Sequence, residues 1–150
     1  MDEFEKSLNH VLVDTFNMIL KFEESSLKKI VSVPVTISEA HMIEAIGAHE
    51  NAETTASEIS SVLGITMPTT TIAIKKLESK GFIKKAPCAT DGRRTIISLT
   101  DMGKRVNKAH NLFHRRMVKN ISNQLEEDEK DVLYGAVVKL SEFFKDKVEA

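Results

Sequence analysis

Two helix-start signals stand close together in this chain, with a single glycine between them, and they leave the local fold little choice. Thr54 or Thr55 caps a short helix over Ala56 to Leu63. Gly64 stops it, because glycine enters the left-handed backbone region at little cost. Thr66 caps a second helix. Pro68 falls in its first turn, where no internal N–H bond is lost. That helix runs to Lys80, and Gly81 ends it, with Thr70, Ala73, Ile74 and Leu77 facing inward. Two helices joined by a tight turn at Gly64-Ile65-Thr66 match a helix-turn-helix.

Two short strands follow, Phe82 to Lys85 and Thr95 to Leu99. Between them Asp91-Gly92 is a hairpin-turn signal, so the pair forms a wing with a charged tip. Long helices flank this segment. Phe4, Leu8, Val11, Leu12, Phe16, Ile19 and Phe22 recur at steps of three and four, which predicts a helix over residues 4–30. Thr36 and Glu39 have the spacing of a capping box for a helix reaching about His49, and residues 50–54 read as a loop. Thr100 caps a helix with a stripe of Val106, Ala109, Phe113, Met117 and Ile121. The acidic run Glu126 to Glu129 opens a last helix through Phe144. The expected fold is mainly α with a small β-hairpin, a winged helix-turn-helix over 36–103 within one domain spanning 1–150.

The net charge of -1 conceals a pattern. Residues 1–63 carry -7, residues 64–124 carry +10 and residues 125–150 carry -4. The basic middle coincides with the helix-turn-helix, the wing and the helix after it. One cysteine forms no intrachain disulfide and points to a reducing, cytoplasmic setting. No apolar run reaches the roughly 20 residues that span a bilayer, and the acidic start is unlike a signal peptide. Few aromatic residues argue against stacking on single-stranded bases.

The second helix of the pair presents Met67, Thr69, Thr71, Ile72, Lys75 and Lys76 outward, with Thr66 and Pro68 at its start. Such a helix fits the major groove of B-DNA, with hydroxyls and apolar tips against base edges and lysines against phosphate. Arg93 and Arg94 at the hairpin tip suit the minor groove or phosphate, and Asp91 is placed to orient the Arg93 guanidinium. Lys84 and Lys85 are further phosphate candidates.

Four segments in this order, Thr55 to Thr66, Leu77-Glu-Ser-Lys-Gly-Phe-Ile83, Asp91-Gly-Arg93 and Leu99-Thr-Asp-Met-Gly103, resemble the MarR family of bacterial transcription regulators. The likeness departs at Gly92, where members often carry a second arginine; Arg94 supplies part of that charge. It implies a homodimer built by helices in 1–33 and 104–150, binding a pseudo-palindromic operator in double-stranded DNA. Phe16-Asn17, Glu23-Glu24, Glu39-Ala40-His41, Thr69-Thr70-Thr71 and Phe113 to Val118 look like the fatty-acid-biosynthesis repressors of the FabT type. In that branch the effector is an acyl chain on acyl carrier protein. Lys108, Arg115, Arg116 and Lys119 form a basic face without acids; it suits an acidic carrier protein, DNA phosphate or a partner subunit alike.

His110 and His114 stand four apart, a spacing that serves either as a metal chelate or as an ordinary helix face. Zinc-responsive MarR-family regulators carry a Glu, His, His, His site, and the matching positions are Glu23, His41, His110 and His114. The resemblance therefore implies Zn2+ or another divalent transition metal as a candidate cofactor. Lys29 stands where the cysteine of a second site would be, so that second site is expected to be absent. Cys88 reads as a small wing residue rather than a sensor. No metalloprotease helix, nucleophile elbow or phosphate loop is present, so a binding protein is expected rather than an enzyme. A winged helix used only for protein interaction is the remaining alternative.

Overall fold

Side-chain caps set most helix starts in the computed structural model, which describes residues 1–149. Asp2 and Glu5 form a capping box at the start of α1 (Glu3–Lys28), as do Thr36 and Glu39 for α2 (Ile37–Gly47) and Thr55 and Glu58 for α3 (Ala56–Leu63). Each box satisfies backbone N–H groups that a helix start leaves unpaired. Gly64 ends α3 at φ 62°, in the left-handed region where glycine alone is unstrained. Thr66 caps α4 (Met67–Ser79). The strands β2 (Ile83–Pro87) and β3 (Thr95–Leu99) lead into α5 (Asp101–Ser122), and α6 (Glu127–Glu149) closes the chain.

The stretch expected to be a loop before α3 contains structure. A 3-10 turn at Glu50–Ala52 precedes a two-residue strand β1 (Glu53–Thr54), which pairs antiparallel with β3. Asn51 and Ala52 both take positive φ, 56° and 53°. That reversal lays Glu53 and Thr54 beside Ser98 and Ile97. The sheet order is β1-β3-β2, with Ile83 opposite Leu99 and Pro87 opposite Thr95. Pro87 sits at the strand's end, where its missing N–H breaks no interior ladder.

The chain divides into two compact units, Met1–Phe113 and the segment from His114 on. The core of the first unit joins Ile43 and Ile46 of α2, Ile59 of α3, Ile74 and Leu77 of α4, Phe82, and Val106 of α5. Each such side chain contributes roughly 1.5–3 kcal/mol by leaving water. Gly103 lets α5 approach: a Cβ there would collide with the backbone carbonyl of Phe82.

Periodicity located the apolar stripes but not their cover. On α1 only Glu23 and Leu27 are buried, while Phe4, Leu8, Val11 and Phe16 stay exposed in the single chain. On α5 the buried line runs through Gly103, Val106, His110 and Phe113, and Ile121 lies outside it. In the second unit Val132, Val137, Phe143 and Phe144 of α6 are exposed. No helix among the described residues is long and apolar enough to cross a membrane.

Candidate nucleic-acid interface

The turn between α3 and α4 is closed from both sides. Ile65 N–H donates to Ser60 O at 3.2 Å, and the Ser60 hydroxyl donates to Ile65 O at 2.6 Å. At the start of α4, Thr66 Oγ1 accepts from Thr69 N–H at 3.3 Å and donates to Thr69 Oγ1 at 2.9 Å. Thr70, Ile74 and Leu77 are buried, which turns Met67, Pro68, Thr69, Thr71, Ile72, Lys75 and Lys76 to solvent. Ile72 is 70% exposed, which leaves its side chain available to an outside surface. The Thr71 hydroxyl donates to Met67 O at 2.9 Å, so its lone pairs remain available to an outside donor.

A buried carboxylate fixes α4 to α2. Glu39 accepts from Lys80 Nζ at 2.8 Å through both oxygens and from Thr36 N–H at 3.0 Å, and Lys80 also donates to Pro34 O. Burial pushes the Glu39 carboxyl up, but the Lys80 hydrogen bonds, the Thr36 N–H and the charges of Lys80 and Lys76 outweigh it. The net effect holds the group below the ordinary 4.5. A depressed folded-state pKa means stability that is present above the unfolded value and lost as pH falls through the folded one. Glu39→Gln is therefore expected to lower the urea midpoint near neutral pH. Its gap from the wild type should close as pH drops below 4.5. A gap that stayed constant through that range would remove the charge from this role.

The wing is broader than a two-residue turn. Cys88 N–H donates to Arg94 O at 2.8 Å and Arg94 N–H to Asp91 O at 3.0 Å, so residues 88–94 form the tip. Gly92 is not among the residues of positive φ. Asp91 does not take the expected part: its Oδ1 accepts the backbone N–H of Arg93 at 3.0 Å. Short Asp side chains reach their own backbone two residues on more readily than a guanidinium that projects outward. Arg93 is exposed, and Arg94 borders a shallow depression with Thr55, Ser57 and Glu58 at the start of α3. Lys84 is exposed, whereas Lys85 Nζ lies 3.4 Å from Glu78. Hydrogen bonds with Thr90 hold the Cys88 thiol below the ordinary 9.0.

A second constellation lies inside the first unit. Glu23 from α1, His41 from α2 and His110 from α5 each bring one ligand atom within 4.8 Å of the others. Glu23 and His110 are 3% and 0% exposed, and they contact each other through Oε1 and Nε2. His41 Nε2 is 3.6 Å from the same Glu23 oxygen. Ligand atoms around a tetrahedral first-row ion stand about 3.3 Å apart at bonds near 2.0 Å. The donor set suits such an ion, and the His41–Glu23 separation is close to that spacing, whereas Glu23 and His110 stand closer than two ligands of one ion and would have to part to admit it. His114 is half-buried one helical turn beyond His110 and falls in the second unit, outside this group of three.

The family model described as "MarR family" matches residues 33–94. The chain is also similar to the crystal structure of Streptococcus pneumoniae FabT in complex with DNA. The two are 30% identical over 95% of this chain and 98% of that one, with a TM-score of 0.85. The chain belongs to the MarR family. It also resembles a Staphylococcus aureus MepR–DNA complex, at 25% identity over 87% of this chain and 95% of that one (TM-score 0.65). Bacillus subtilis YusO shares the fold at 20% identity over 94% and 96% of the two chains (TM-score 0.70). No protein in the curated set compared with it matches.

Within this MarR-type winged helix, a cavity of about 520 Å³ opens between α2 and α4. Its lining includes Met42, Leu63, Ile72 and Lys76, together with His41 of the histidine group. The basic residues Lys108, Arg115, Arg116 and Lys119 are all exposed on α5. Two features escaped the sequence reading. One is the Glu39–Lys80 clamp, whose members are 41 residues apart. The other is Glu44, whose Oε2 lies 3.5 Å from His110 Nδ1. The spacing of His41 and Glu44, three apart on one helix, was the available hint for the second.

Proposed function

We propose that this MarR-family chain is a homodimeric transcription regulator, a cytoplasmic repressor that binds a pseudo-palindromic operator in double-stranded DNA. One observation carries the reading: α4 and the wing expose Thr69, Thr71, Ile72, Lys75, Lys76, Arg93 and Arg94 on a lobe with its own buried apolar core. The likeness to a FabT solved in complex with DNA supports it. Residues 36–103 serve as the DNA lobe, and helices in 1–33 and 104–150 build the dimer. The uncovered apolar residues of α1 and of α6 are costly to leave in water and support a partner copy. The role is binding, not catalysis.

Finer readings follow the FabT likeness. The chain controls fatty acid synthesis, with an acyl chain on acyl carrier protein as effector and Lys108, Arg115, Arg116 and Lys119 as the face that meets the acidic carrier. A ligand that shifts the two recognition helices changes their fit to half-sites about one DNA turn apart. A second reading, favoured by the convergence of Glu23, His41 and His110, is a metal-responsive regulator holding Zn2+ or another divalent first-row ion. The ion would supply a cross-link between α1, α2 and α5.

Selection on fragmented genomic DNA tests the main reading. Enriched duplexes are expected to share an inverted repeat and to be retarded by the purified dimer. If no duplex were enriched, while acyl carrier protein was captured, the chain would instead be a protein-interaction module.

A further inference from the structure

We propose that Glu44 is a positioning residue for the metal site: its carboxylate fixes the His110 ring from Nδ1, so that Nε2 faces Glu23 and His41. This rests on the metal reading of those three residues. His110 is fully buried, and both of its ring nitrogens face carboxylates. Nε2 meets Glu23 Oε1, on the side where His41 Nε2 also lies. Nδ1 faces Glu44 Oε2 on the other side at 3.5 Å, an electrostatic contact rather than a closed hydrogen bond.

A neutral imidazole ligates through the lone pair of one nitrogen and carries its hydrogen on the other. A carboxylate drawn onto Nδ1 favours the tautomer with its hydrogen there, which leaves the Nε2 lone pair for the ion. Carboxylates that receive the far N–H of a metal-bound histidine set its tautomer and raise its basicity. Glu44 has the exposure this task allows. Its side chain is 41% accessible and reaches His110 from the solvent side, whereas Glu23 at 3% is shut inside. Glu44 also stands three residues after His41 on α2. One helix thus supplies a ligand and the group that aims a second ligand on α5.

The experiment is competition for Zn(II) against a chromophoric chelator, using the full chain and its Glu44→Ala, Glu44→Gln and His110→Ala variants. The wild type is expected to take one ion per chain and His110→Ala to lose it. Glu44→Ala should keep that stoichiometry with affinity weaker by about 10–100-fold. Glu44→Gln keeps an acceptor oxygen without the charge and should fall between the two. The urea midpoint of metal-free Glu44→Ala should equal that of the wild type.

Wild-type affinity in Glu44→Ala would overturn the Glu44 role and leave the metal site standing. Loss of stoichiometry in that variant would make Glu44 a direct ligand and overturn the positioning role. A matching fall in metal-free stability would make it a structural residue, with the same consequence. A wild type that takes no zinc would remove the metal reading itself, and Glu44's role with it.

Discussion

Raising salt from about 50 to 200 mM is expected to weaken operator binding by about 10³–10⁵-fold. That range corresponds to roughly 6–10 phosphate contacts, each releasing condensed counterions when a lysine or arginine neutralises it. Each copy of the lobe exposes Lys75, Lys76, Lys84, Arg93 and Arg94, and the proposed dimer doubles that set. The measurement is fluorescence anisotropy on a labelled operator at several salt concentrations. Arg93→Ala removes one exposed charge per subunit. It should lower the slope of log affinity against log salt by about 2, while the urea midpoint holds. A flat salt dependence would exclude the electrostatic mechanism. An unchanged slope in the arginine variant would exclude the wing from the contact, leaving α4 to act alone.

Local chemistry is why so much of the winged lobe is legible in the sequence. Thr36, Thr55 and Thr66 each cap the helix that follows them, and Gly64 takes the left-handed backbone that its place after Leu63 requires. Those signals act within a few residues. β1 is not legible because two residues carry no alternation, and its position depends on the reversal at Asn51 and Ala52. The Glu23–His110 contact joins residues 87 apart. Only the family pattern brings those two together in the sequence; no spacing rule reaches so far. The apolar line on α1 shows the opposite limit. Phe4 to Phe16 repeat with helical period, yet period says only that a face is apolar, not what covers it.

Phe82→Ala is expected to cost about 3–5 kcal/mol of stability, out of the roughly 5–15 kcal/mol that a domain possesses. Phe82 is the largest fully buried side chain among the described residues, and its backbone is held at both ends. Its N–H donates to Leu77 O at 3.0 Å, closing the end of α4, and its carbonyl accepts from Thr100 N–H at 3.0 Å, at the start of α5. Gly103 packs against that same carbonyl, so α5 cannot slide inward to fill a void without meeting backbone. The cavity therefore persists, and its cost lies at the upper part of the large-to-small range. Because α4, the wing and α5 meet at this residue, DNA affinity should fall together with stability. Ile72→Ala provides the contrast. Ile72 touches solvent, so its loss should change stability by less than about 0.5 kcal/mol while weakening operator binding. Urea unfolding at one fixed protein concentration, with operator binding beside it, separates the two, since the stability of any oligomer depends on protomer concentration. Should Ile72→Ala destabilise as much as Phe82→Ala, α4 would be buried where it is assigned to DNA. Should Phe82→Ala unfold at the wild-type midpoint, the junction of α4, β2 and α5 would not be what holds the reading head in place.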